Sequence, residues 1–277
     1  MPLSIVMKNT YLKAFVVVWG CFFSTFSVDA QENLSANGDT YFFLGFSLPI
    51  FKIRDEGHSP QTYIGMTPTF RIGYERVGRD VVERISAAVG FGDISPKGKP
   101  KPLRQMSSAE VTNFQVTYAQ YRRVGDFDTE GYNRYVGGAF TFVFDARGYN
   151  LPSNNLFGFQ VNTSLNVGGF VWKKLSDEFR ANYEAFMPFI TYSVRPNYIG
   201  MVDLQTEKFK IMKVIKSGKV VTVNKAFRFY NRLCIDQQIN DHRQRRLAYS
   251  WDFHSNIVSK PLRSVAAGLT YESLFKM

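Results

Sequence analysis

From position 41 onward the chain repeats one pattern: a hydrophobic side chain at every second residue. Residues 41–53 place Phe42, Leu44, Phe46, Leu48 and Ile50 on one face and Gly45 and Ser47 on the other. The same alternation recurs over 63–75, 80–92, 111–123, 132–144, 156–172, 178–191, 247–254 and 265–275. Period two marks strands with one face in an apolar environment. Most of these runs are 12 to 16 residues long, against about 5–6 for an ordinary globular strand. A tilted strand needs about 9–11 residues to cross the hydrocarbon of a bilayer.

The stretch LFGFQVNTSLNVGGFVW, 156–172, shows what the second face asks for. Its odd positions carry Phe157, Phe159, Val161, Leu165 and Val167, its even positions Gly158, Gln160, Asn162, Ser164, Asn166 and Gly168. The solvent face of a soluble sandwich would carry Lys, Glu and Arg. Small neutral polar residues suit the crowded inside of a narrow barrel, with the apolar face toward lipid. Closure also satisfies every backbone N–H and C=O, as a bilayer demands. Short links such as VGRD (77–80) and KKLSD (173–177) alternate with long ones such as 92–108, the asymmetry of periplasmic turns and outer loops. With the first strand rising from the periplasm, Tyr74, Tyr132 and Trp172 fall at periplasmic strand ends and Tyr192 at an outer end, as in aromatic girdles.

Nine strands cannot leave both termini on one side. A tenth is expected between 193 and 244, where KFKIMKVIKSGKVVTVNKAFRFY reads as a hairpin around Ser217-Gly218. A lysine facing mid-bilayer would cost about 2–4 kcal/mol. The hairpin, with Lys225 on the face of Val223 and Phe227, therefore stands partly above the membrane, its second arm descending to complete the ring. The fold expected is all-β: a closed antiparallel transmembrane β-barrel of about ten strands with long outer loops, eight strands and a side element being the alternative.

The N-terminus does not belong to that pattern. Lys8 and Lys13 precede the apolar run AFVVVWGCFF, and small residues follow at Val28 and Ala30. This is a secretory signal peptide over 1–30, followed by a short periplasmic lead over 31–39 and the barrel over 40–277. Cleavage leaves Cys234 as the one cysteine, so no intramolecular disulfide holds the chain. The formal charge is +11, and 193–243 holds ten basic and four acidic side chains. Lys97, Lys99, Lys101 and Arg104 lie in the long link 92–108. Positive charge thus gathers where outer loops belong, beside the phosphates of lipopolysaccharide, which Lys and Arg pair well. Export and lipid-facing strands disfavour nucleic acid as a partner.

The export signal, the long alternating strands and the ending LTYESLF together make the chain resemble the small outer-membrane β-barrel proteins of Gram-negative-type bacteria. In that group a C-terminal strand of alternating hydrophobics with a final aromatic is the signal for the barrel-assembly machinery. Leu269, Tyr271 and Phe275 match it, Ser273 interrupts it, and Lys276-Met277 trail beyond. The resemblance implies the bacterial outer membrane, and a closed sheet without edges is expected to be monomeric. The resemblance does not choose among adhesins, pores, enzymes and anchors.

Three groups of residues could carry chemistry. WDFHSN, 251–256, resembles the His-x-Ser-Asn run of outer-membrane lipid A deacylases, which use a Ser-His-Glu arrangement. Here His254 and Ser255 are adjacent on a strand and point to opposite faces. His254, Asp252 and Ser264 share the inner face and form the alternative triad, against the plainer reading of an internal hydrogen-bond network. Arg71, Glu75, Arg84, Glu178, Arg180, Glu184 and Glu272 are expected in the lumen, as a salt-bridged plug or as the lining of a narrow path. Lys97, Lys99, Lys101 and Arg104 are the candidates for lipopolysaccharide contact. The scattered His58, His242 and His254 and the lone Cys234 have no zinc spacing, and no cofactor is expected. The function expected is a non-enzymatic envelope barrel whose basic outer loops contact lipopolysaccharide or a surface partner. A lipid A-modifying enzyme and a small-solute channel are the alternatives.

Overall fold

A computed structural model describes residues 38–57, 59–98, 108–128, 131–149, 157–195, 217–258 and 260–277. The expected signal peptide and most of the expected periplasmic lead lie outside the described residues. So do Lys99, Lys101 and Arg104 and the first arm of the hairpin around Ser217-Gly218.

The strands are β1 (Asp39–Asp55), β2 (Ser59–Met66), β3 (Thr69–Val77), β4 (Val81–Pro96), β5 (Ala109–Val124), β6 (Tyr132–Tyr149), β7 (Phe157–Lys174), β8 (Phe179–Val194), β9 (Lys219–Thr222), β10 (Ala226–Asn240), β11 (Arg243–Asn256) and β12 (Leu262–Lys276). All pairings are antiparallel, and β12 pairs β1 along fifteen residue pairs from Tyr41↔Lys276 to Asp55↔Leu262, which closes the sheet. Two of the ring's strands are interrupted. β2 and β3 both pair β1 and β4 and form one descending strand broken at Thr67-Pro68. Pro68 has no N–H to give the ladder, while Thr67 still donates to the Pro49 carbonyl at 3.1 Å. β9 and β10 both pair β8, with residues 223–225 looped out between them. The ring is therefore ten strands round, the tenth being the descending arm expected within 193–244.

That excursion settles Lys225. Its N–H donates to Thr222 and its carbonyl accepts from Ile257, both near the outer strand ends. The lysine is exposed at that end of the strands, where the sequence expected the hairpin to rise out of the hydrocarbon. The turns at 78–80, 125–131, 175–178 and 241–242 share the end of both termini. The strand ends joined by the long connections 97–108, 150–156 and 195–218 share the other. The first end is the periplasmic one.

Alternation sorts the faces. Leu44, Phe46, Leu48, Ile50, Phe70, Ile72, Ile85, Phe91, Phe189 and Leu269 point outward and are exposed, the belt that lipid covers. A bulge where β8 passes Leu165/Asn166 shifts its register, so Glu184 and Thr191 both turn inward although their parity differs. Gly73 lets Phe43 lie across the lumen: a Cβ there would meet the Ile85 carbonyl oxygen at 2.3 Å and the Phe43 ring at 2.5 Å.

Candidate functional site

The lumen is filled in three layers. Nearest the periplasm is a lattice of ions. Glu75 is clamped between two arginines: Arg84 Nε donates to its Oε2 at 2.8 Å, and Arg246 reaches both its oxygens at 2.7 and 2.8 Å. Arg246 also holds Asp236 through Nε and Nη2, at 2.5 and 2.9 Å. Arg84 bridges across to Glu184, which accepts from Tyr121 at 3.0 Å. Arg232 pairs with Glu272 at 2.5 Å, Arg71 approaches the same carboxylate at 3.8 Å, and Arg180 reaches Asp236 at 3.0 Å. Glu75, Arg232, Arg246 and Glu272 are fully buried. Charges this enclosed persist only when paired on several sides. Tyr121, Tyr135, Phe170, Phe186 and Tyr230 pack beside the lattice and close the rest of that level.

At the outer end a second plug is mostly apolar. Phe51, Ile53, Tyr63, Ile94, Val111, Tyr149 and Leu262 pack together inside the barrel. Asp55 sits among them, held by Arg147 at 2.8 Å and Arg195 at 2.5 Å.

Between the plugs lies a chamber of about 150 Å³, with room for a few waters. His254, Asp252 and Ser264 line it, with Arg228, Asn113, Gln115, Gln160 and Asn162 opposite or beside them. The β11–β12 register sets His254 directly across from Ser264. Asp252 is committed elsewhere: Arg228 Nε donates to its two oxygens at 3.0 and 3.1 Å, and Nη2 adds a further bond. Arg228 also spans the lumen to Gln115 at 2.9 Å. A triad needs its carboxylate to orient the imidazole. Here a guanidinium takes that carboxylate, and no hydrogen bond joins His254 to Asp252 or Ser264 among the described residues.

The expected lumen residues divide. Arg71, Glu75, Arg84, Arg180, Glu184 and Glu272 meet in the periplasmic-side lattice. Glu178 does not: it lies in the turn before β8, exposed, its carbonyl accepting from Gln238. The alternation of β8 begins at Phe179, one residue after Glu178. Trp172 also departs from expectation. It turns inward, donating its indole N–H to the Tyr135 hydroxyl at 3.2 Å, and does not join an outer girdle. Tyr132 does face outward. The lattice residues that sequence reasoning missed are Arg232, Asp236 and Arg246, with Asp55, Asp145 and Arg147 in the outer half. Parity along 226–256 and 145–149 places them inside once the strands are known.

The outer rim carries a basic row not legible in any one segment. Arg54 and Arg263 are direct cross-strand partners on β1 and β12, both exposed on the outward face. On the other side Arg54 pairs with Thr62. Thr62 in turn accepts from the backbone of the exposed Lys97 at 2.9 Å. Lys52 faces outward two residues below Arg54. Among the described residues one ion pair meets this row, Arg54 with Glu56 at 3.5 Å, both side chains about half exposed, where such a pair is worth little.

No family model and no curated protein sequence matches the chain. Solved structures do match its shape. The outer-membrane protease OmpT from Escherichia coli superposes at TM-score 0.50 with 7% identity, over 88% of this chain and 98% of that one. An outer-membrane channel from Pseudomonas putida F1 gives TM-score 0.35 at 11% identity, over 86% of this chain and 96% of that one. Ail, the attachment invasion locus protein of Yersinia pestis, gives 0.29 at 8% identity, over 85% and 99%. At 7% identity the likeness to OmpT is one of fold. With the closed ring, the lipid-facing belt and the asymmetric ends already described, this chain is a transmembrane β-barrel of the bacterial outer-membrane type.

Proposed function

We propose that the protein is a non-enzymatic barrel of the outer membrane whose lumen is structural and whose basic outer rim holds lipopolysaccharide phosphate. The observation that carries this reading is Arg54 directly opposite Arg263. Like charges facing each other across a strand pair destabilise it. Thr62 and Lys97 continue the row and Lys52 lies beneath, so the arc concentrates cations at the level of the outer-leaflet head groups. A phosphate between two guanidiniums relieves the repulsion and gains charge-assisted hydrogen bonds. Lys99, Lys101 and Arg104 follow Lys97 in sequence and extend the same cationic segment.

The non-enzymatic part rests on Asp252. Its capture by Arg228 removes the orienting partner from His254, and plugs above and below keep an acyl chain from the chamber. The test of the rim is lipopolysaccharide binding to the folded protein. A Lys52→Gln, Arg54→Gln, Arg263→Gln variant is expected to lose tenfold or more in affinity, since each cation near a lipid surface is worth about 1 kcal/mol. Lipid with its phosphates removed should bind both proteins alike. Equal affinity of the two proteins for intact lipopolysaccharide would overturn the proposal. For the lumen, His254→Ala is expected to leave the cell's lipid A profile unchanged, and an altered profile would favour the lipid A-modifying enzyme instead.

A further inference from the structure

The charges inside the barrel do not cancel. In the outer half Arg147 and Arg195 answer Asp55 and Asp145, and at the chamber Arg228 answers Asp252. The periplasmic-side lattice is unequal. Arg71, Arg84, Arg180, Arg232 and Arg246 face Glu75, Glu184, Asp236 and Glu272, which leaves one cation over. The surplus falls on Arg71. Its Nε is buried without a partner, and none of its N–H groups makes a hydrogen bond among the described residues. Its nearest carboxylate, Glu272, is 3.8 Å away and already answers Arg232 at 2.5 Å and Arg246 at 3.6 Å. An enclosed cation without a counter-charge is costly.

Arg71 lines the chamber between the plugs, its side chain 13% exposed. The ladder brings a second guanidinium toward it. Arg71 on β3 is the partner of Ala88 on β4, and Ala88 is the partner of Gln115 on β5. Two strand spacings, about 10 Å, therefore separate Arg71 from Gln115 at Cα. Gln115 is fixed: its Nε2 donates to the Thr117 hydroxyl at 2.9 Å, and its Oε1 accepts from Arg228 Nη2 at 2.9 Å. Arg228 Nη1 has no partner. Between the two guanidiniums the wall rises only to the methyl of Ala88. Ser86, next to Ala88 on the inward row of β4, and Ser47, diagonal to Arg71 on β1, also line the chamber, and neither hydroxyl makes a hydrogen bond among the described residues. The chamber's two carboxylates, Asp145 and Asp252, are held by Arg147 and Arg228. His254 lines the same space and can only add positive charge. Unspent N–H and O–H donors around an uncancelled cation call for a small anion, and a surplus of one sets its charge.

We infer that the chamber holds one monovalent inorganic anion of halide size, seated over Ala88 between Arg71 and Arg228, as the counter-ion of the lattice. This concerns the lumen and does not depend on what the outer rim binds. Because plugs lie above and below, the ion enters as the chain folds. A urea transition passes through the open chain and so equilibrates the chamber with the surrounding salt. The probe is chloride put in place of gluconate, a bulkier anion, at constant ionic strength, with the protein in phosphatidylcholine vesicles. An ion bound only by the folded state raises the folded-to-unfolded ratio about hundredfold at about 100 times its Kd. The midpoint of the parent is therefore expected to rise with chloride more steeply than that of Arg71→Gln, which has no surplus cation. Equal slopes in the two proteins would overturn the inference. If Arg71→Gln does not fold, the parent refolded and crystallised in bromide decides. An anomalous peak within hydrogen-bond reach of Arg71 is expected, and a chamber holding water alone would overturn the inference.

Discussion

Glu75 is the keystone of the periplasmic-side lattice, and replacing it should cost more than replacing the arginine it binds most fully. Five arginines (71, 84, 180, 232, 246) and four carboxylates (75, 184, 236, 272) meet there. Glu75→Gln keeps the shape and one acceptor but leaves five cations facing three anions. Breaking a buried pair by removing one partner costs about 3–5 kcal/mol. Arg84 retains Glu184, and Arg246 retains Asp236 and Glu272, so the low end of that range, about 3 kcal/mol, is expected. Arg246→Met removes four charge-assisted hydrogen bonds but leaves four cations against four anions. Glu75 still has Arg84, and Asp236 still has Arg180 and Asn182. About 1–2 kcal/mol is expected for it. The double variant restores the original excess of one cation and should be less damaged than the sum, with a coupling of 1 kcal/mol or more. Urea unfolding of the protein in lipid vesicles, followed by Trp fluorescence and by gel migration of unboiled samples, measures all three. A Glu75→Gln midpoint within error of the parent, or strictly additive singles, would refute the lattice as a source of stability.

Other consequences follow from the layers. Gly73→Val should leave little folded barrel in a gel assay, because its Cβ alone meets the Ile85 carbonyl oxygen at 2.3 Å; a fully folded variant would mean that Phe43 can leave the lumen cheaply. Planar-bilayer recordings of the purified protein should show no discrete conductance steps, since both ends of the lumen are plugged. Steps that vanish in Glu75 or Arg246 variants would point to a channel through the lattice. Cys234 faces the lumen and is buried, so a thiol reagent should label it only after unfolding, and prompt labelling of native protein would place a water path beside Arg232.

The alternation made most of this fold readable, because a lipid-facing position and a lumen-facing position differ in polarity at nearly every step of strands such as β7. The reading weakened where both faces carry the same chemistry. Tyr41, Phe42 and Phe43 are successive aromatics, and the inward pair of β1 is as apolar as its outer neighbours. Phe51, Ile53, Ile94 and Leu262 are likewise inside, filling the outer plug, unlike the small polar inner face of β7. Between 193 and 244 lysines hid the alternation. The inward-facing Arg232 and Asp236 of the tenth strand could not be assigned until its register with β8 fixed its parity. Arg246 was open to parity alone, one step before the run of β11 that was read. The outer basic row was beyond local pattern altogether. Arg54, Lys97 and Arg263 are far apart in the chain and become neighbours only because β12 closes against β1. The candidate triad shows the converse: parity put His254, Asp252 and Ser264 on one face, but not Arg228, whose grip on Asp252 decides what the group can do.

The claim on which everything else depends is that the sheet closes in a membrane. Gel migration of the native membrane fraction, loaded unheated and boiled, tests it most directly. A closed barrel resists the detergent until heated, so the account predicts a heat-dependent shift in mobility with the protein in the outer-membrane fraction. No shift, with the protein recovered in the soluble fraction, would contradict it and would make the phenylalanine stripes the core of a secreted sandwich.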